Sequence, residues 1–177
     1  NVALFGLGRI GVMHAKNIVL NSKLKLKYVY DINQKISKTY SKKLKCINLK
    51  NPSKAFSDKK IDIIFISSTT ATHIPLITRS VKNKKIVFCE KPLDLNINKV
   101  KKCKKYINKY KPKIQLGFNR RYDPGHYALK KSLLMGKIGK LEKIIITSRD
   151  PAPPSFNYLK SSGGIFRDMT IHDFDMA

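Results

Sequence analysis

Short apolar runs alternate with amphipathic stretches along the first two thirds of the chain. Val2–Phe5 and Ile61–Ile66 are continuous apolar runs, Lys25–Tyr30 alternates, and Lys85–Cys89 and Lys113–Phe118 are two further runs. Each reads as a short strand, and their largely apolar character is that of strands covered on both faces. Helical patterns fill the intervals: Arg9–Leu20, Asn33–Leu44, Ile74–Val81 and Asn96–Tyr110. In the last of these, Ile97, Val100, Cys103, Ile107 and Tyr110 recur every three to four residues with lysines on the opposite face, which is a packing stripe. Regular strand–helix alternation predicts an α/β fold, a doubly wound parallel sheet with helices on both sides, over residues 1–118.

The pattern changes after residue 118. A helix is expected over Pro124–Met135, a strand over Leu141–Ser148, a proline-rich loop over Pro151–Ser155 and a final helix from about Gly164. One strand cannot form an independent sheet. Residues 119–177 are therefore expected to be the truncated start of a second, α+β domain that holds substrate. The chain opens without Met, and its last helix reaches Ala177 without a Gly or Asn cap, so both ends read as those of a fragment.

Composition narrows the classes. At 177 residues, with 42% hydrophobic and 27% charged positions, the chain is expected to be a soluble globular protein. No apolar stretch approaches the roughly 18–20 residues of a membrane span. Cys46, Cys89 and Cys103 are odd in number and lack metal-ligand spacing, which favours a reducing, cytoplasmic setting and no metal. The formal charge of +26 rests on 31 Lys against 6 Arg, scattered among Ile and Asn over the whole chain. Without a clustered basic stripe bearing interleaved aromatics, neither a specific nucleic acid nor a membrane is expected as partner.

Gly6-Leu7-Gly8-Arg9-Ile10-Gly11 follows the first strand and opens the first helix, and Asp31 ends the second strand 20 residues after the last glycine. In that setting the G-x-G-x-x-G pattern is a dinucleotide-binding fingerprint. Gly6 serves the sharp turn, Gly8 the approach of backbone to a pyrophosphate, and Gly11 the close packing of helix on strand. The phosphates then meet the helix N-terminus, where unpaired N–H groups and the dipole favour anions. Asp31 is placed to accept hydrogen bonds from both ribose hydroxyls and to repel a 2′-phosphate, so NAD is expected over NADP; the alternative is a helix-capping or surface aspartate. These features make the sheet Rossmann-type.

Three more clusters sit where chemistry is expected. Ser67–His73 follows the Ile61–Ile66 strand at the ligand edge of the sheet; Thr69, Thr70 and His73 are candidates to line the nicotinamide side, although Thr72 or His73 equally suits a helix cap. Cys89-Glu90-Lys91-Pro92 ends the next strand and puts Glu90 and Lys91 at the same edge as candidate cofactor contacts, where a lysine can also bind a reacting oxygen. Asp168 and His172, four apart on the final helix, are expected to share one face as an oriented acid–base pair, with Asp173 and Asp175 nearby; a plain surface pair at i,i+4 is the alternative. Asn119 and Arg121, where the chain leaves the first domain, are candidates for binding substrate hydroxyls and equally suit hinge residues that fix the domain angle. His14 and His126 fall in helical stretches and are read as structural.

The glycine loop, the Glu90-Lys91-Pro92 motif, Gly117–Pro124 and Ser162–Asp173 together resemble the glucose–fructose oxidoreductase / inositol dehydrogenase / MocA family, and the resemblance spans essentially the whole chain. Ser148–Pro154 and the run to Ala177 are similar to its inositol-oxidising subgroup. The resemblance implies oxidation of myo-inositol to 2-keto-myo-inositol (scyllo-inosose) with reduction of NAD⁺. His172 would be general base, Asp168 its assistant, and Lys91 the residue holding the reacting oxygen. It also implies a homo-oligomeric parent. Oxidation of a related, glucose-type sugar and a dinucleotide-binding module without turnover stand as alternatives, the last because much of the family's second domain is missing.

Overall fold

The computed structural model describes residues 1–177, the side chain of Asn157 excepted. The chain divides into two compact units, Asn1–Gly117 and Phe118–Ala177.

The first unit contains β1 (Val2–Phe5), α1 (Arg9–Leu20), β2 (Leu26–Tyr30), α2 (Gln34–Lys43), β3 (Ile47–Asn48), α3 (Ser53–Ser57), β4 (Ile63–Ile66), α4 (His73–Lys82), β5 (Ile86–Cys89), α5 (Ile97–Tyr110) and β6 (Ile114–Leu116). The six strands form one parallel sheet in the order β3-β2-β1-β4-β5-β6. This is the doubly wound Rossmann order, whose reversal between β1 and β4 opens a crevice at the carboxyl ends of the strands. Central β1 explains the covered sheet: all four of its residues are 1% exposed. Ala3 and Phe5 pack into one core with Ile64, Ile66, Ile77 and Val87, while Val2 and Leu4 enter the other with Ala15, Ile18 and Val29. Period-two alternation thus feeds two cores, one on each face.

Local chemistry sets the helix starts. The Asn33 side chain accepts from the backbone N–H groups of Lys35 and Ile36, and Asn96 does the same for Asn98 and Lys99, so α2 and α5 begin on side-chain caps. Helix α1 begins differently: its N-cap is Gly8, and no side chain caps its first turn. Two short elements, β3 and α3, lie where the sequence pattern marked nothing; two and five residues are too few to show a period.

The second unit contains α6 (Pro124–Leu134), α7 (Phe156–Ser162), α8 (Ile165–Asp168) and α9 (Ile171–Met176). Asp123 starts α6, its carboxylate accepting from His126 N–H, with Pro124 at the first helical position. Two expectations fail here. Leu141–Ser148 is not a strand, because no described segment offers it a hydrogen-bonding ladder, and Ile144, Ile145 and Ile146 stay exposed. The single helix expected from Gly164 is two short helices separated by Met169 and Thr170. The Thr170 hydroxyl bonds back to the carbonyls of Ile165 and Phe166 at 3.5 and 3.4 Å, competing with the backbone ladder and breaking the helix.

Candidate functional site

In the first unit the carboxyl edge of the sheet gathers the glycine loop after β1, Asp31 after β2, Ser67–Thr70 after β4 and Glu90-Lys91 after β5. The three glycines have three separate reasons. Gly6 has φ +91°, and a Cβ there would lie 2.5 Å from Ser68 N. A Cβ on Gly11 would lie 2.0 Å from the Gly6 carbonyl oxygen, so helix and turn meet at that point only as glycine. At Gly8 a Cβ would meet nothing within 4 Å; the packing does not demand glycine, and the space above the backbone is open. Beside that space is the uncapped first turn of α1, whose amides have no intrahelical partner and favour an anion.

Asp31 closes the loop from the side. Its carboxylate accepts from Leu7 N–H at 2.7 Å and from Asn33 N–H at 2.8 Å. An ionised carboxylate has about four acceptor positions, so these two bonds fix its orientation and leave others for hydroxyls. Because Asn33 caps α2, the capping alternative for Asp31 does not apply to that helix. The open space at Gly8, the uncapped helix and the oriented carboxylate fit the phosphates and a ribose of a dinucleotide.

Ser67 holds the turn, its hydroxyl donating to the carbonyls of Phe5 and Gly6 at 3.1 and 3.0 Å. Thr69 and Thr70 enter a single 3₁₀ turn, Thr70–Thr72, beside a cavity of about 360 Å³ that Asp94, Asn96 and Lys99 also line. His73 departs from expectation. It is 1% exposed, and its ring nitrogens face the carbonyls of Pro92 at 2.8 Å and Ser68 at 3.0 Å. Buried between two loops, it ties the β4 and β5 edges together and presents no surface to a cofactor; it is the first residue of α4, whose N-cap is Thr72.

Glu90 is held from three sides. His14 Nε2 lies 2.6 Å from Glu90 Oε1, Lys91 N–H donates to Oε2 at 3.3 Å, and a Cβ on Gly117 would come within 2.9 Å of the carboxylate. The His14–Glu90 contact joins residues 76 apart, which no local spacing reveals. Cys89 is fully enclosed, and burial pushes its thiol well above the ordinary range.

In the second unit, Asp168 ends α8 and His172 lies in α9, so the one-helix geometry expected for this pair is replaced by two elements. The Tyr158 hydroxyl donates to Asp168 Oδ1 at 2.6 Å, a positioning contact the sequence reading missed. His172 meets the Phe118 ring edge-on at 6.3 Å between centroids. The arginines are committed. Arg121 forms a bidentate pair with Asp175, through Nε and Nη2 at 2.6–3.1 Å, which raises its own pKa. That pair ties Arg121 to α9 within the unit, while its side chain remains 61% exposed. Asn119 opens the 3₁₀ turn Asn119–Tyr122 and is exposed. Arg120 and Ser148 both reach Asp173 Oδ1, and the Ser148 hydroxyl, followed by Arg120, holds that carboxyl below its ordinary range. His126, read as structural, pairs with Asp123 at 2.9 Å.

Comparison with known proteins agrees with this geometry. Residues 1–118 match the family model described as the oxidoreductase family with an NAD-binding Rossmann fold. An inositol 2-dehydrogenase of Rhizobium meliloti (strain 1021) is 43% identical over 175 residues, covering 98% of this chain and 52% of that protein. The solved myo-inositol dehydrogenase of Corynebacterium glutamicum superposes with a TM-score of 0.93 at 44% identity, covering 99% of this chain and 53% of the other. The scyllo-inositol dehydrogenase of Lactobacillus casei, solved with NAD(H) and scyllo-inositol bound, gives a TM-score of 0.86 at 31% identity, covering 99% and 54%. The chain thus spans about half the length of the relatives it matches. With a glycine cradle, an oriented Asp31, the Rossmann strand order and these matches in agreement, the chain belongs to the glucose–fructose oxidoreductase / inositol dehydrogenase / MocA oxidoreductase family.

Proposed function

We propose that the full-length protein oxidises a ring hydroxyl of a cyclic polyol, converting myo-inositol to 2-keto-myo-inositol with NAD⁺ as hydride acceptor. The observation that carries this reading is the cradle of the first unit: an uncapped helix start beside open space at Gly8, with Asp31 fixed against the same loop. The names of the similar inositol dehydrogenases supply the substrate class.

Residues 1–118 hold the dinucleotide and residues 119–177 begin the substrate side. The amides of Leu7 to Gly11 orient the phosphates, although Leu7 N–H is shared with Asp31. The remaining acceptor positions of Asp31 take the ribose hydroxyls, and its charge opposes a 2′-phosphate, which sets NAD over NADP. Lys91 donates to the reacting oxygen and steadies negative charge there as the hydroxyl proton leaves. His172 takes that proton, and Asp168, itself held by Tyr158, stabilises the resulting imidazolium. The bound nicotinamide supplies the hydride acceptor.

The test is the initial rate of NADH formation by the full-length protein over myo-inositol, scyllo-inositol and glucose, with NAD⁺ and NADP⁺ in parallel. Myo-inositol with NAD⁺ is expected to give the highest kcat/KM, and His172→Ala to lower kcat roughly 10²–10⁴-fold with NADH affinity little changed. Equal use of NADP⁺ would remove the role given to Asp31. A near-normal kcat in His172→Ala would remove the base.

A further inference from the structure

We propose that His14 is a positioning residue: through Glu90 it fixes the Glu90–Lys91 peptide at the carboxyl end of β5, and so the root of the lysine that holds the reacting oxygen. The inference rests on the reading of Lys91 given above and extends it to a residue on a different element.

Four observations converge on the Glu90 carboxylate. His14 Nε2 approaches Oε1 at 2.6 Å, and since an ionised carboxylate only accepts, that nitrogen carries the hydrogen. Lys91 N–H donates to Oε2 at 3.3 Å, so one carboxylate oxygen is anchored by α1 and the other anchors the backbone of Lys91. Gly117, just past β6, leaves room for the carboxylate that any side chain would fill. Both partners are largely withdrawn from solvent, with side chains 17% and 18% exposed, so water competes weakly for the bond.

His14 itself is not free to swing. Its ring packs against Phe65 of β4 at 4.7 Å and Phe88 of β5 at 5.4 Å, and those two rings stack on each other at 4.0 Å. The residue also lies three positions beyond Gly11, on the helix whose first turn faces the phosphate position. One helix therefore offers amides to the dinucleotide and, about a turn further on, a hydrogen bond to the support of Lys91. Movement of α1 is transmitted to the Lys91 backbone through a single half-buried carboxylate. A group misplaced by about 1 Å can cost about 10²-fold in rate, so this support bears on the chemical step more than on binding.

The test uses two variants of the full-length protein. His14→Phe keeps an aromatic ring between Phe65 and Phe88 and removes the donor; His14→Gln keeps an N–H donor. Measured for each are kcat, KM for myo-inositol, NADH affinity by fluorescence, and the hydrogen-exchange rate of the Lys91 amide without cofactor. His14→Phe is expected to lower kcat by about 10²-fold with little change in NADH affinity, and to speed Lys91 amide exchange by about tenfold as its acceptor loses its anchor. His14→Gln is expected to restore most of both. Unchanged kcat and unchanged Lys91 protection in His14→Phe would overturn the proposal. So would equal loss in both variants tracking a common fall in thermal stability, since that is the signature of packing alone. If the wild-type protein oxidised no polyol with NAD⁺, the functional reading would fail, and Lys91 amide exchange would still decide whether His14 positions that backbone.

Discussion

The two units of this chain are built on different principles. Among the described residues, every buried hydrophobic side chain of the two cores that sandwich the sheet lies between Val2 and Cys103. In Phe118–Ala177, Ser162 alone is buried among the described residues, and Leu134, Ile145, Phe156, Phe166 and Phe174 are each at least 67% exposed. Polar ties organise that unit: Arg120 and Ser148 on Asp173, Arg121 on Asp175, Tyr158 on Asp168 and His126 on Asp123. Burial accumulates over every apolar side chain removed from water, whereas a single polar tie contributes about 0–3 kcal/mol net. The cofactor cradle therefore stands on the stable part of the chain, and the proposed acid–base pair on the part with little interior of its own.

Separating the units breaks the comparison most directly. Residues 1–117 produced alone are expected to unfold cooperatively in urea and to retain NADH binding, while residues 118–177 alone are expected to show no cooperative transition by circular dichroism. A sharp transition in the second fragment would mean that its polar ties suffice, and the contrast would fail.

The next largest effect separates packing from binding inside the first unit. Gly11→Ala forces a methyl group onto the Gly6 carbonyl and is expected to cost about 1–3 kcal/mol, read as a fall in thermal midpoint. Gly8→Ala meets open space and should leave that midpoint nearly unchanged while weakening NADH binding about tenfold or more. If Gly8→Ala destabilised the apo protein as much as Gly11→Ala, the open space would not be a ligand position.

What the sequence revealed follows the same division. Expected β1 and α1 coincide with the observed Val2–Phe5 and Arg9–Leu20, and Asn33 and Asn96 cap their helices, because covered strands and amphipathic helices write their burial into local pattern. The glycine loop was legible because each glycine answers a backbone need local to one turn. The His14–Glu90 pair was not, since it joins distant positions across the sheet. In the second unit the apolar residues of Leu141–Ser148 read as a strand, yet a strand is defined by its partner, and none of the described residues supplies one. Asp168 and His172 were marked by type and spacing; the break at Thr170 between them depends on one hydroxyl turning back on its own helix.

Acid provides the subtlest contrast. In the first unit the Asp58 carboxyl is held far below its ordinary range, first by the hydrogen bond from Lys27, then by the Lys60 backbone and the Tyr28 hydroxyl. In the second, the Ser148 hydroxyl lowers Asp173, and the His126 backbone N–H lowers Asp123. Each carboxyl binds its proton less readily folded than unfolded. Its stabilisation is therefore complete above the unfolded value of about 3.9 and is lost as pH falls through the lower, folded value. The consequence differs between units. Protonation removes one network from a first unit that keeps both hydrophobic cores, whereas in the second it removes ties that have no buried core behind them. Between about pH 5 and pH 2, amide protection is expected to disappear from 118–177 while the β1, β4 and β5 amides remain protected. Asp58→Asn should lower the stability of the first unit at neutral pH and flatten its acid dependence, leaving the second unit's profile unchanged. Simultaneous loss of protection in both units, or an acid profile of the first unit unchanged by Asp58→Asn, would show that the division between core and surface ties does not govern how this chain meets acid.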